Sequence, residues 1–291
     1  MSRVLVTGAF GAIGRALINR LGALDLEVMS TDLIGSGQNH FAGDIRSKEF
    51  SEWVSLIRPK YVIHLAGSVN VLKSFQDPEF DLDVNVKGTL NLLKGLENSR
   101  ECNIVYLNSG GAIYSYDSQS GASEISPCLP ISPYGISKLM AENYIRVFFD
   151  SRGLGWTSLA VSNCYGNFEL FKKGVLYEFY KSLQSGATAT LFGHDTTRDF
   201  IFVEDVVDAI LESMIHPTMC RINISSAAEV RLFDAFQIIS QELNVSGKLE
   251  ILPSRQGEIE RSWLDNSLAF RLLKWRPRVE FREGVRLSCN L

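Results

Sequence analysis

Through the first half of the chain, short apolar runs alternate with segments whose apolar residues recur at helical spacing. That is the pattern of buried strands traded with amphipathic helices. Residues 3–7, 27–31, 61–65, 104–108, 157–162 and 200–203 read as strands. From about residue 12 onward Ile13, Ala16, Leu17, Leu21 and Leu24 share one helical face. Two longer helices are predicted over about 83–98 and 133–151. Strands and helices in this rhythm predict parallel βαβ units, hence an α/β fold built on a doubly wound parallel sheet. After about residue 166 the rhythm weakens and aromatics cluster (Phe168, Phe171, Tyr177, Phe179, Tyr180). This predicts a first domain over 1–166, rejoined by 198–216, and a smaller C-terminal domain made mainly of 167–291.

Composition narrows the partners. The chain has 291 residues, 45% of them hydrophobic and 21% charged, an ordinary globular balance. Lys and Arg total 29 against 33 for Asp and Glu, a net charge of -4, which argues against a nucleic-acid partner. The five cysteines (Cys102, Cys128, Cys164, Cys220, Cys289) are odd in number and form no CxxC, and the histidines show no HxxxH. Neither a disulfide framework nor a metal site is expected, and reduced thiols point to the cytoplasm. No apolar run approaches the ~18 residues of a membrane span. The opening MSRVLVTGAF enters a strand directly, so no signal peptide is expected there.

The strongest chemical signal is Thr7-Gly8-Ala9-Phe10-Gly11-Ala12-Ile13-Gly14, between a strand and a helix. Glycines so spaced permit a tight turn, close approach of backbone to a pyrophosphate, and close helix–strand packing, as in Rossmann-type dinucleotide sites. The helix N-terminus adds free N–H groups and partial positive charge. Gly8, Phe10, Gly11, Ala12, Ile13 and Gly14 are thus candidate cofactor residues. Asp32, ending the second strand, can accept from both hydroxyls of the adenine ribose, or simply cap a turn. Against a 2′-phosphate ~4 Å away its charge would cost about 4 kcal/mol at an effective dielectric near 20. No Lys or Arg follows it before Arg46, so NAD is expected rather than NADP. Asp44 and Ile45 either meet the adenine edge or form an ordinary Gly-Asp turn.

Tyr134 and Lys138, four residues apart, share a helix face. Ser132-Pro133 before them reads as an N-cap with proline at N1. An unperturbed tyrosine titrates near 10, so acting as a base near pH 7 requires about 4 kcal/mol, the order of one ammonium ~4 Å away in a partly desolvated site. Tyr177 and Lys181 have the same spacing. Position favours the first pair, which opens a capped helix downstream of the strand ending at Asn108-Ser109, whereas the second lies in the aromatic stretch.

Together, TGAFGAIG, Asp32, His64-Leu65-Ala66-Gly67, Asn85-Val86-Lys87-Gly88-Thr89, Ser109 with Tyr114, Tyr134 with Lys138, Ser162-Asn163-Cys164-Tyr165-Gly166, Arg198-Asp199-Phe200, Arg255-Gln256-Gly257-Glu258 and Leu272-Leu273-Lys274-Trp275 resemble the extended short-chain dehydrogenase/reductase family. Within it they resemble the NAD-dependent epimerase/dehydratase group typified by UDP-glucose 4-epimerase. The motifs run in family order over nearly the whole chain. The resemblance implies that Leu65, Ala66, Gly67 and Ser162 line NAD, with Asn85 in support. Tyr134 would be the acid/base, and Lys138 would lower its pKa and grip the nicotinamide ribose. Asn163, Arg198 and Arg255 would hold a nucleotide diphosphate sugar in the C-terminal, substrate-binding domain; the two arginines could equally be solvated or paired with Asp199 or Glu258. His64 reads as a core strand residue. The long helices resemble those of a four-helix dimer interface, so a homodimer is expected.

Two departures stand out. Where the family carries its catalytic Ser or Thr this chain has Gly110, leaving Ser109 or a water for that task. Where dehydratases of the family carry an Asp-Glu pair it has Gly111 and Ala112, which cannot transfer a proton. Dehydration is therefore disfavoured. Epimerisation at C4 through a keto intermediate is expected, with 4-ketoreduction by NAD(P)H as the alternative and non-catalytic dinucleotide sensing as a third reading.

Overall fold

The computed structural model describes residues 1–114, 121–254 and 260–290. Its central sheet has seven parallel strands: β1 (Ser2–Thr7), β2 (Leu26–Asp32), β3 (His40–Ala42), β4 (Tyr61–His64), β5 (Asn103–Ser109), β6 (Trp156–Val161) and β7 (Arg221–Ile224). Their spatial order is β3-β2-β1-β4-β5-β6-β7, the Rossmann-type arrangement expected. The chain winds outward from β1 to β3, then returns to lay β4 against the other side of β1. The loops leaving β1 and β4 meet at that reversal, the crevice position at which open α/β sheets bind ligands.

Helices α1 (Ala12–Leu21), α2 (Lys48–Ile57), α3 (Gly88–Gly95), α4 (Pro133–Asp150) and α5 (Val203–Ile215) cover the sheet. Side-chain alternation along β1 divides the core in two. Val4 and Val6 join Leu17 and Leu21 of α1 and Val206, Val207 and Ile210 of α5. Leu5 faces the opposite layer, with Phe50 and Val54 of α2, Leu92 and Leu93 of α3, and Ala141, Ile145 and Phe149 of α4. Each such side chain contributes about 1.5–3 kcal/mol by leaving water, so the strand ends are held on both faces.

The helix expected over 83–98 is interrupted. A short helix, Pro78–Leu82, runs into a wider π-helical turn, Asp83–Lys87, before α3 begins. Asn85 lies in that turn, and such turns serve to re-aim a side chain. The main-sheet strands β3 and β7 were not foreseen. β3 has only three residues, too few to show a period, and Arg221-Ile222-Asn223-Ile224 gives half its positions to polar side chains. The chain's return to the sheet therefore runs past 216 to Ile224. The strand near 200–203, Phe200–Phe202, pairs with Asn163–Tyr165 outside the main sheet. Beyond it, helices Val175–Ser185 and Leu232–Leu243 pack through Phe179 and Phe236, edge to face at 5.5 Å. No described helix is long and apolar enough to cross a membrane.

Candidate active site

The glycine loop lies at the crevice. Gly8 has φ +69, and a Cβ there would stand 2.8 Å from the Ala66 nitrogen, so the turn after β1 and the turn after β4 touch through bare backbone. A Cβ on Gly14 would strike the Gly8 carbonyl, which fixes α1 close behind the turn. Gly11 is the N-cap of α1, and its N–H donates to the Gly8 carbonyl at 3.1 Å. Ala12 opens the helix and Ile13 packs on the core. The Phe10 N–H donates to Asp32 Oδ2 and the Leu33 N–H to Oδ1, both at 2.8 Å. Asp32 is thus held between the end of β2 and the loop, where its charge faces any ligand entering there. The Phe10 ring stacks on His40, centroids 4.9 Å apart.

On the next loop the Arg46 guanidinium grips Asp44 at 2.6 Å and holds its carboxyl below the usual range. Ile45 is buried, and its carbonyl accepts from Asn91 Nδ2 at 2.7 Å. After β4, the Leu65 N–H donates to the Thr7 carbonyl and the Ala66 N–H to Thr7 Oγ1. A Cβ on Gly67 would meet Asn85 Oδ1 at 2.7 Å. Asn85 accepts from the Ser68 N–H at 2.8 Å and donates to the Ser68 carbonyl at 3.2 Å, so it positions the loop itself. His64 is clamped between the hydroxyls of Thr7 (2.7 Å) and Thr89 (3.0 Å). Burial pushes its pKa down to about 3, so it is a neutral strand residue.

Helix α4 begins as its sequence indicates. Ser132 Oγ accepts from the Gly135 N–H at 3.1 Å and Pro133 occupies the first turn. Tyr134 and Lys138 follow on one face, 7% and 6% exposed. Burial pushes the Tyr134 phenol up to about 12; Ser109, at the end of β5, opposes this by hydrogen bonding that favours the phenolate. Ser109 is thus a group that draws the phenol down. Burial also pushes the Lys138 ammonium down to about 7, against the charges of Asp81 and Glu142. The ammonium lies 4.3 Å from the Tyr106 ring centroid, and no hydrogen bond joins it to another described residue. A buried cation with open donors requires acceptors, and the vicinal hydroxyls of a ribose would meet that demand. The bare-backbone turn, the anionic Asp32 and the open ammonium together fit a dinucleotide. Tyr177, by contrast, packs on the core near Tyr180, and Lys181 is exposed.

Ser162, expected at the cofactor, and Asn163, expected at the substrate, both meet Asp199. Ser162 Oγ donates to its Oδ1 at 3.1 Å, and Asn163 Nδ2 to its carbonyl at 3.0 Å. Arg198 donates to the Thr197 carbonyl at 2.7 Å. The Asp199 carboxylate also accepts from the Ser226 N–H and hydroxyl and the Leu264 N–H. The sequence presents Asp199 only as a partner for Arg198; its organising role spans distant segments and leaves no local signal. Arg255 lies outside the described residues.

The Gly110 departure has a steric cause. A Cβ there would strike Leu264 Cδ1 and stand 3.1 Å from the Ala160 carbonyl oxygen. Leu264 and Ala160 pack with Ile113 and Tyr114 in a small core, so the space is already filled. Gly110→Ser is expected to lower stability by about 1–3 kcal/mol, read by thermal melting; an unchanged melting temperature would contradict the steric account.

The model of the NAD dependent epimerase/dehydratase family matches residues 4–224. The UDP-glucose 4-epimerase of Mycolicibacterium smegmatis is 32% identical over 97% of this chain and 96% of its own length. Among solved structures, the UDP-glucose 4-epimerase of Thermotoga maritima with UDP-glucose superposes with a TM-score of 0.93 at 30% identity, covering 99% of this chain and 97% of that one. The Thermus thermophilus UDP-glucose 4-epimerase in complex with NAD gives 0.91 at 31%, covering 99% and 98%. The extended agreement in sequence and in three dimensions completes what the loop, Asp32 and the Tyr134–Lys138 face indicate: the chain belongs to the NAD-dependent epimerase/dehydratase family, within the extended short-chain dehydrogenases/reductases, and its cofactor is NAD.

Proposed function

We propose that this chain is a nucleotide-sugar 4-epimerase in which Tyr134 is the acid/base. The observation that carries the reading is the grouping of Ser109, at the end of β5, with the buried Tyr134 and Lys138, and Gly111 and Ala112 where a dehydratase needs proton-transferring side chains. The names and full-length coverage of the 4-epimerase relatives support it.

Tyr134 rests protonated and would become a base once cationic charge faces it; Lys138 would supply part of that charge and would hold the nicotinamide ribose. NAD, when bound, supplies a reversible hydride acceptor. Tyr134 takes the proton of the sugar 4-hydroxyl and returns it after the keto sugar has presented its other face. Ser109 donates to the same oxygen and restrains the charge that develops there. Asn163, Arg198 and Arg255 hold the diphosphate, the guanidiniums by charge-assisted hydrogen bonds, in a smaller substrate-binding domain made mainly of 167–291. Gly8, Phe10, Gly11, Ala12, Ile13, Gly14, Asp32, Asp44, Ile45, Leu65, Ala66, Gly67, Asn85 and Ser162 hold the dinucleotide.

Incubation with a panel of UDP-, dTDP-, GDP- and CDP-sugars without added cofactor, followed by the anomeric protons in NMR, should show interconversion of one 4-epimer pair. Turnover that strictly requires added NAD(P)H would replace the reading with 4-ketoreduction, and an inert enzyme would favour non-catalytic binding. Asp32→Ala should move the NAD-to-NADP affinity ratio toward NADP by about tenfold or more, measured by titration calorimetry; an unchanged ratio would remove Asp32 from cofactor selection. The chain is also read as a homodimer. Ile136, Met140, Tyr144 and Val147 line the outer side of α4, each exposed, as a buried helix–helix contact would require. Sedimentation at micromolar concentration should give twice the chain mass. Five free cysteines suit a cytoplasmic setting.

A further inference from the structure

One charged group in this region has no part in the chemistry so far described. Asp81, on Pro78–Leu82, is 1% exposed. Its Oδ2 accepts from the Ser137 hydroxyl at 2.5 Å and from Asn85 Nδ2 at 3.2 Å. Its Oδ1 is buried with no hydrogen-bond partner. Ser137 lies between Tyr134 and Lys138 on α4, and its hydroxyl is also 2.9 Å from the Tyr134 carbonyl. A carboxylate this deep calls for a countercharge; Lys138 follows Ser137 on α4, and the Asp81 charge acts on its buried ammonium.

We propose that Asp81 is a positioning residue of the Tyr134–Lys138 pair: its buried carboxylate, fixed by Ser137 and Asn85, anchors the turn of α4 that carries both side chains and serves as a counter-ion to the Lys138 ammonium. The inference rests on the acid/base reading given above. Five described groups face Lys138. Glu142, one turn along α4, adds a second negative charge, itself taken up by Arg221, Asn108 and Ser158. His64 on β4 is neutral, Tyr106 on β5 offers its ring, and Tyr134 precedes Lys138 by one turn. Asp81 raises the pKa of both Lys138 and Tyr134. Its loss therefore has a definite sign. Lys138 would lose its proton at lower pH, and Tyr134 would ionise at lower pH, so both limbs of the kcat–pH profile should move the same way.

Asp81→Asn keeps the shape and removes the charge. Two readouts apply to the full chain. In the enzyme without substrate, lysine labelled with 13C at Cε, with the Lys138 signal assigned by its absence in Lys138→Arg, should titrate at a pH lower by about one unit or more in Asp81→Asn. In turnover, both limbs of the kcat profile should shift to lower pH. Ser137→Ala keeps Asp81 and strips its short donor, so Lys138 should then titrate at higher pH; this arm stands if Asp81→Asn does not fold. A Lys138 titration unmoved in these variants would overturn the inference. A wild-type enzyme inert toward sugar nucleotides would overturn the acid/base reading instead, and the labelled-lysine titration would still decide the role of Asp81.

Discussion

Tyr134→Phe is expected to lower kcat by about a thousandfold or more while leaving NAD binding within a few-fold of the wild type. General acid–base catalysis contributes roughly 10² to 10⁴ in rate, and a phenyl ring leaves no hydroxyl to move the sugar proton in either direction. The change should fold well. Tyr134 is held to the structure by its backbone, whose N–H donates to Ser74 Oγ at 3.2 Å, and by burial of its ring. Neither depends on the hydroxyl, whose remaining interaction is with Ser109. Steady-state kinetics with calorimetric NAD titration would check it. Loss of activity together with loss of NAD would mean the tyrosine supports the cofactor, and retained kcat would move the proton to another group.

A second large effect is expected at Gly8. The position combines a left-handed backbone with a Cβ direction aimed at the Ala66 nitrogen 2.8 Å away. Valine there meets both penalties, because a β-branched residue disfavours positive φ and backbone cannot yield as a flexible side chain does. The strain costs roughly 1–3 kcal/mol from the conformation alone, and the clash adds to it. Relief requires separating the turn after β1 from the turn after β4, which are the two walls of the cofactor crevice. Gly8→Val should therefore lose NAD binding outright and melt well below the wild type. A variant that melts normally and binds NAD would show that the two turns need not touch.

What the sequence disclosed and what it withheld divide along a physical line. The glycine turn, the acidic end of β2, and the capped helix bearing Tyr134 and Lys138 depend on neighbours within a few residues, so local pattern and position along the chain pointed to them. The strands β1, β4, β5 and β6 are buried on both faces and read as apolar runs. By contrast, the fullness of the site behind Gly110 is set by Leu264, and the tether around Ser162 by Asp199 and Ser226. These contacts join segments far apart in the chain, and no local pattern encodes them. The same holds for Asp81, one of four acids in the run Asp77-Pro78-Glu79-Phe80-Asp81-Leu82-Asp83. Only the π-helical turn and the packing of Pro78–Leu82 on α4 show that this one points inward.

Burial acts on the phenol against the lowering that a base requires. Its environment raises the pKa to about 12, so the resting group is an acid. Ionisation becomes favourable only when positive charge is concentrated near it, which links proton removal to the presence of the oxidised cofactor.

The decisive measurement follows the hydrogen on the sugar's C4. A substrate carrying deuterium at that carbon, turned over in ordinary water without added cofactor, should yield its 4-epimer with the deuterium still at C4, because that atom leaves as hydride and returns to the same carbon. Product in which it has been exchanged for solvent hydrogen would mean that C4 loses a proton, and the assignment of hydride transfer beside Tyr134 would be wrong.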